Sequence, residues 1–276
     1  MQQSINALSA QSDTVDTMDR MSRFMRKGKS LILAYDQGLE HGPTDFNEKN
    51  VDPQFVLDIA GRCKFDAFAS QKGVAENYWR KGGVPLILKV NGKTALYGGS
   101  EPLARQNCSV KHAWELGAAA VGYTVYVGSA NEAEMLAEFG RVQEEAHALD
   151  MAAILWAYAR GASVKNDTSR EVIAYATRLG LELGADAVKV KYTGDKEGFR
   201  WVVKAAGRVP VYMAGGPKTK DEQDFLTQVK GCMEAGASGV AVGRNVWQSD
   251  NPDRTSKRLA AIVIDGKSVE QAMKLQ

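Results

Sequence analysis

The chain has 276 residues, of which 44% are hydrophobic and 25% charged, an ordinary composition for a protein with a buried core. Its 35 Lys and Arg against 33 Asp and Glu leave a formal charge of +2, with no run of like charge. That balance gives no basis for a nucleic-acid or membrane partner, so an acidic small molecule would have to be held by local basic groups.

Residues 1–18 are rich in Gln, Ser, Thr and Asp and lack the cationic start and apolar core of a signal peptide. They read as a polar tail or capping arm ahead of one catalytic unit over 19–276. No apolar run approaches the ~20 residues that cross a bilayer, and a soluble protein is expected. Cys63, Cys108 and Cys232 are far apart and odd in number. Reduced thiols in a cytoplasmic protein are the expectation, with neither a disulfide framework nor a zinc pair.

From residue 30 onward, short apolar runs alternate with helical patterns. The runs are 30–36, 66–70, 85–90, 119–124, 152–157, 187–192, 209–213 and 239–242. Each is rich in Val, Ile or Leu, as expected of strands covered on both faces. Between them, 53–63, 131–149, 168–183, 220–235 and 253–264 carry apolar periodicity, with Thr168 as a predicted cap and Glu171 completing a capping box. A weak repeat, Leu116-Gly117-Ala118, Leu183-Gly184-Ala185 and Ala235-Gly236-Ala237, sets glycine at a helix end just before a strand. Eight strands with intervening helices and no linker predict a single (β/α)8 barrel, about the size that fold requires.

In such a barrel the active site lies at the C-terminal strand ends. The sixth run ends Val188-Lys189-Val190-Lys191-Tyr192, so alternation turns Lys189 and Lys191 inward together. Inward lysines need partners or a lowered pKa, the requirement for a Schiff-base nucleophile. Anion binding at the rim is the other reading. The fifth run, Trp156-Ala157-Tyr158-Ala159-Arg160, turns an indole and a phenol inward. The phenol is suited to proton transfer, and the indole either walls the site or packs the core. The first run ends at Asp36, followed by Gln37, Gly38, Glu40 and His41; Asp36 either assists the lysine or makes an Asx turn. Gly215-Gly216-Pro217 and Gly243-Arg244-Asn245 follow the last two runs, where barrels often hold a phosphate.

Only three histidines are present. His112 and His147 fall in helical segments and are expected on solvated faces, so His41 alone is placed for a metal. A metal mechanism is therefore not expected, and no GxGxxG loop opens a helix after a strand.

Taken in order, Ala34-Tyr35-Asp36-Gln37-Gly38-Leu39-Glu40-His41-Gly42-Pro43, Lys89-Val90-Asn91-Gly92-Lys93-Thr94, the 156–161 run, the 188–195 run, 215–218 and Gly243-Arg244-Asn245-Val246-Trp247-Gln248 resemble the archaeal-type class I fructose-bisphosphate aldolases from about Arg20 onward. The resemblance implies a cofactor-free enzyme of glycolysis and gluconeogenesis acting on a sugar phosphate. It implies Lys189 as the Schiff-base residue, with Lys191 as its neighbour, Tyr158 as the proton carrier, Trp156 as the active-site tryptophan and Asp36 as assistant. Gly215, Gly216, Gly243 and Arg244 would hold one phosphate, with Arg160 and His41 toward the second. A homo-oligomer, a pentameric ring or a decamer, is implied too. The family's AspHisGly is Asp36-Gln37-Gly38 here, its SerTyrProArgGly is 157–161 with alanines, and its SerGlyGly begins with Ala214. A related Schiff-base aldolase of aromatic amino-acid biosynthesis, an aminodideoxyheptulosonate synthase, is the nearest alternative; a phosphate-binding barrel without catalysis is more distant.

Overall fold

The computed structural model describes residues 17–96 and 98–276. Eight parallel strands close into a barrel: β1 (Ser30–Tyr35), β2 (Ala67–Gln71), β3 (Leu86–Lys89), β4 (Ala120–Val127), β5 (Ala152–Ala159), β6 (Ala187–Val190), β7 (Val211–Ala214) and β8 (Gly239–Val242), with β8 returning to β1. The helices are α1 (Thr17–Ser22), α2 (Gly38–His41), α3 (Pro53–Arg62), α4 (Lys72–Tyr78), α5 (Val110–Leu116) and α6 (Glu132–Ala148). They continue with α7 (Arg170–Glu182), α8 (Lys196–Ala205), α9 (Glu222–Glu234), α10 (Arg244–Trp247), α11 (Pro252–Val263) and α12 (Val269–Met273). Each of the eight apolar runs is a barrel strand, which is the predicted (β/α)8 architecture. Among the described residues no helix is long and apolar enough to cross a membrane.

Strand alternation divides the core in two. Leu31, Leu33, Val188, Val190, Val240 and Val242 face the helices. The interior is lined by Ile32, Ala67, Ala69, Ile87, Ala120, Ala152, Ala187 and Ala241, and filled by Trp156 and Tyr212. Alanine-rich walls leave room at the N-terminal mouth, and the chain fills it with α1 and the turn after it. Met21 and Phe24, from α1 and the turn after it, are buried within the interior cluster. Arg20 reaches Asp186 at 2.7 and 3.0 Å, and the wholly buried Asp186 also accepts from the Ala153 backbone N–H and pairs with His147 Nε2, each at 2.8 Å. Burial opposes ionisation of Asp186, but the bonds from His147, Arg20 and Ala153 hold its carboxyl below the usual range.

Several local expectations change. Residues 1–16 of the polar segment lie outside the described residues, and Thr17 and Met18 begin α1. The cap of α7 is Ser169, which accepts from the Val172 N–H, while the Thr168 hydroxyl turns to Asn166. No capping box forms, because a Ser169 cap puts Val172 at the third position. His147 is only partly exposed, because Asp186 gives it a partner inside. His112 is paired at the surface with Glu76. Gly117, Gly184 and Gly236 do have positive φ (90°, 71° and 104°), as expected of helix stops. β4 and β5 run to Val127 and Ala159, further than predicted, because Tyr126 pairs with Tyr158 and Val127 with Ala159. That extension raises Tyr158 to the rim. β6 stops at Val190, so Lys191 and Tyr192 lie past the strand.

Candidate active site

The C-terminal strand ends surround a cavity of about 360 Å³. Asp36, His41, Tyr158, Arg160, Lys189, Lys191, Gly215, Gly216, Gly243 and Arg244 all border it. Trp156 is the exception among the expected residues. It is 2% exposed and lies beneath the cavity, its indole N–H unpartnered, as a wall behind lysines and not as a surface along a sugar. Room for the ring comes from Gly122 on β4, where a Cβ would stand 2.2 Å from a carbon of the Trp156 ring.

Two buried ammonium groups lie over this indole, Lys189 with Nζ 4.9 Å from the ring centroid and Lys89, the last residue of β3, at 5.7 Å. Burial pushes the Lys189 ammonium down, Asp36 opposes this, and Arg244 adds to it; the net shift is downward. Lys89 is pushed down to about 8 by burial, against Asp36 and with repulsion from Lys189. Lys191, the expected neighbour of Lys189, is instead paired with Asp167; Arg244 is the cation that adds to the depression of Lys189, and Lys189 in turn depresses Lys89. The sequence signal for Lys89 is a lysine ending an apolar strand, the same signal that marks Lys189 on the sixth run. Tyr158 is held well above a phenol's ordinary range by burial and then by the charge of Asp36, so its proton stays on at rest.

At one end of the cavity the loops after β7 and β8 meet. Asn245 donates to the Gly215 and Pro217 carbonyls at 2.8 and 2.9 Å and accepts from the Thr219 N–H, binding the two loops together. A Cβ on Gly243 would lie 2.6 Å from the Ala34 carbonyl oxygen, and one on Gly215 would lie 3.0 Å from Val242 Cα, so both loops need glycine to close on β1 and β8. Gly216 has φ +65°, a left-handed backbone. Arg244 projects beside these glycines and meets Asp45 at 3.4 Å, the carboxylate that also holds His41 Nδ1 at 2.5 Å. His41 is thus linked through Asp45 to Arg244, and not directly to Arg160. Arg160 stands elsewhere on the rim, joined to Glu40 at 2.5 Å and lying over the Tyr126 ring at 5.1 Å. Glu40 and Lys93 stand in sequence motifs but had no expected role, and Tyr126 stands in none, since only the tertiary structure brings them to Arg160.

A lowered lysine, a carboxylate and a protonated phenol at three strand ends, with glycines and an arginine at one end of the same cavity, are groups suited to amine chemistry on a carbonyl compound. Comparison with known proteins agrees. Residues 30–249 match the DeoC/LacD family aldolase. The chain belongs to this aldolase family. The fructose-bisphosphate aldolase class 1 of Thermoproteus tenax is 53% identical over 252 residues, 91% of this chain and 95% of that one. The protein of the same name from Halobacterium salinarum is 47% identical over 252 residues, 90% and 95% of the two chains. A solved archaeal fructose-1,6-bisphosphate aldolase, with its catalytic Lys covalently bound to the carbinolamine intermediate of the substrate, superposes on this aldolase with TM-score 0.87 at 51% identity, covering 90% of this chain and 99% of that one.

Proposed function

We propose that this chain is a class I, Schiff-base aldolase that reversibly cleaves fructose 1,6-bisphosphate to dihydroxyacetone phosphate and glyceraldehyde 3-phosphate, with Lys189 as nucleophile. The observation that carries the residue assignment is Lys189 buried at the cavity floor, depressed by burial and Arg244, with Asp36 and Tyr158 bordering the same space. Neutral Lys189 attacks the C2 ketone, and the phenol of Tyr158 gives its proton to the departing hydroxyl, with Asp36 assisting. The resulting iminium draws electrons from C3. The Tyr158 phenolate, a strong base because burial raises its conjugate acid, takes the C4 hydroxyl proton as the C3–C4 bond breaks. Glyceraldehyde 3-phosphate departs, Tyr158 returns the proton to the enamine carbon, and hydrolysis frees dihydroxyacetone phosphate. Gly215, Gly216, Gly243 and Arg244 hold one phosphate, and Arg160 the other.

Borohydride trapping with dihydroxyacetone phosphate, with and without EDTA, followed by peptide mass mapping, tests the assignment. The expected adduct is on Lys189 and is indifferent to the chelator; an adduct on Lys89 or Lys191 refutes it. The same reading covers one catalytic unit over 19–276 behind a polar segment, a cytoplasmic location, a place in glycolysis and gluconeogenesis, and a homo-oligomer of pentameric rings or decamers. Light scattering of the purified protein tests the last.

A further inference from the structure

The neighbours Glu40 and His41 on α2 address different ends of the cavity, and Glu40 is engaged on both oxygens. Its Oε1 lies 2.5 Å from Arg160 Nη1 and 3.3 Å from Lys93 Nζ, and its Oε2 accepts from the Tyr126 hydroxyl at 3.2 Å. The donors come from three places, the ends of β5 and β4 and the loop after β3, yet converge on one carboxylate. Lys93 and Arg160 also lie over the Tyr126 ring, at 5.8 and 5.1 Å. With no anion between them the two cations would repel. With Glu40 they form a closed set, and the loop bearing Lys93 is pinned further by the Ala95 N–H donating to the Glu40 carbonyl at 2.9 Å.

Three convergent donors, two of them charged, suit a group with three oxygens and two charges better than a carboxylate. We propose that Glu40 is a resident anion filling a phosphoryl-group site, assembled from Arg160, Lys93 and Tyr126, which the distal phosphate of the substrate displaces. This rests on the proposed function and assigns Lys93 and Tyr126 as further binding residues. A tethered carboxylate competes at an effective concentration on the order of millimolar. A free monoanion offers the cage nothing that Glu40 lacks, so it does not enter. A dianionic phosphate monoester brings an additional charge and an additional acceptor, and does enter. Glu40 thereby acts as a filter: it keeps the cations assembled while making the site selective for a terminal phosphoryl group over carboxylated or neutral chain ends.

The test compares fructose 1,6-bisphosphate with fructose 1-phosphate, which lacks the distal group, in the unmodified enzyme, Glu40→Gln, Arg160→Met and the double variant. Inorganic phosphate serves as inhibitor. Glutamine keeps the shape and loses the charge. The expected result for Glu40→Gln is a KM for the bisphosphate lowered about tenfold, a similarly lowered Ki for phosphate, and a larger preference for the bisphosphate. In the Arg160→Met background the gain should vanish. Should Glu40→Gln not fold, Glu40→Asp, too short to span both cations, is expected to act in the same direction. A raised KM for the bisphosphate, or an equal change with both sugars, would make Glu40 only a scaffold for Arg160 and overturn the proposal. Failure of the unmodified enzyme to cleave either sugar would instead overturn the functional reading beneath it.

Discussion

Replacing Lys89 by methionine should make the protein more stable and less active, and the size of the gain follows from the burial of its ammonium. Lys89 is 5% exposed, and its one hydrogen bond, to the Asn91 carbonyl, is long at 3.4 Å. Its pKa falls from the ordinary 10.5 to about 8 in the fold. A group depressed in this way costs its full amount where both folded and unfolded states carry the proton, below about pH 8. The cost fades as pH rises from there toward 10.5. The difference corresponds to about 3 kcal/mol. Unfolding 276 residues carries an entropy of about 0.6 kcal/mol/K, so Lys89→Met should raise Tm by about 5 °C at pH 7. Calorimetry of both proteins at pH 7 and pH 10.5 is the assay, and the advantage should shrink toward zero at the higher pH. Aldol cleavage should fall, since the charge shared with Asp36 and Lys189 is gone. A Tm unchanged or lowered at pH 7, or a difference independent of pH, would refute the assignment of Lys89 as an under-partnered buried cation.

Gly122→Ala forces a methyl into the Trp156 ring, and overpacking of this kind should cost about 1–3 kcal/mol and shift the indole fluorescence; an unchanged spectrum and Tm would mean the ring relaxes freely. Tyr158→Phe should lower kcat by about 100-fold or more and also slow borohydride trapping of dihydroxyacetone phosphate on Lys189, since the phenol supplies the proton for loss of the carbinolamine hydroxyl; trapping at the unmodified rate would contradict that role. The Asp186 carboxyl is depressed, so its contribution to stability is present at neutral pH and lost as pH falls through its folded pKa. Asp186→Asn should therefore cost several kcal/mol at pH 7 by removing the buried charge that Arg20 and His147 share, and the cost should be smaller at pH 3, which denaturant titrations at the two pH values would show.

The barrel could be read because its signals are local. Runs such as Ser30–Tyr35 and Gly239–Val242 are apolar on both faces, and glycines at 117, 184 and 236 stop helices by their own backbone freedom. Strand alternation also placed Lys189, Trp156 and Tyr158 inward. What stayed hidden depends on contacts distant in sequence. Nothing near Glu40 foretells Arg160, 120 positions away, and nothing near His147 foretells Asp186. Lys191 borders the cavity, but its pairing with Asp167 could not be read, because alternation aims a side chain only while the strand lasts and β6 ends one residue before it.

The plug at the closed mouth bears on the order in which the chain assembles on the ribosome. Residues 17–25 are synthesised before every strand of the barrel, yet the interior they fill is complete only once β8 has emerged and paired with β1. Arg20 waits for Asp186, 166 positions later. A segment made ahead of the whole barrel is thus among the last to settle, and sealing the floor and closing the wall become one event. A nascent chain halted before β8 would hold Met21 and Phe24 in water, ready to be gripped by a chaperone.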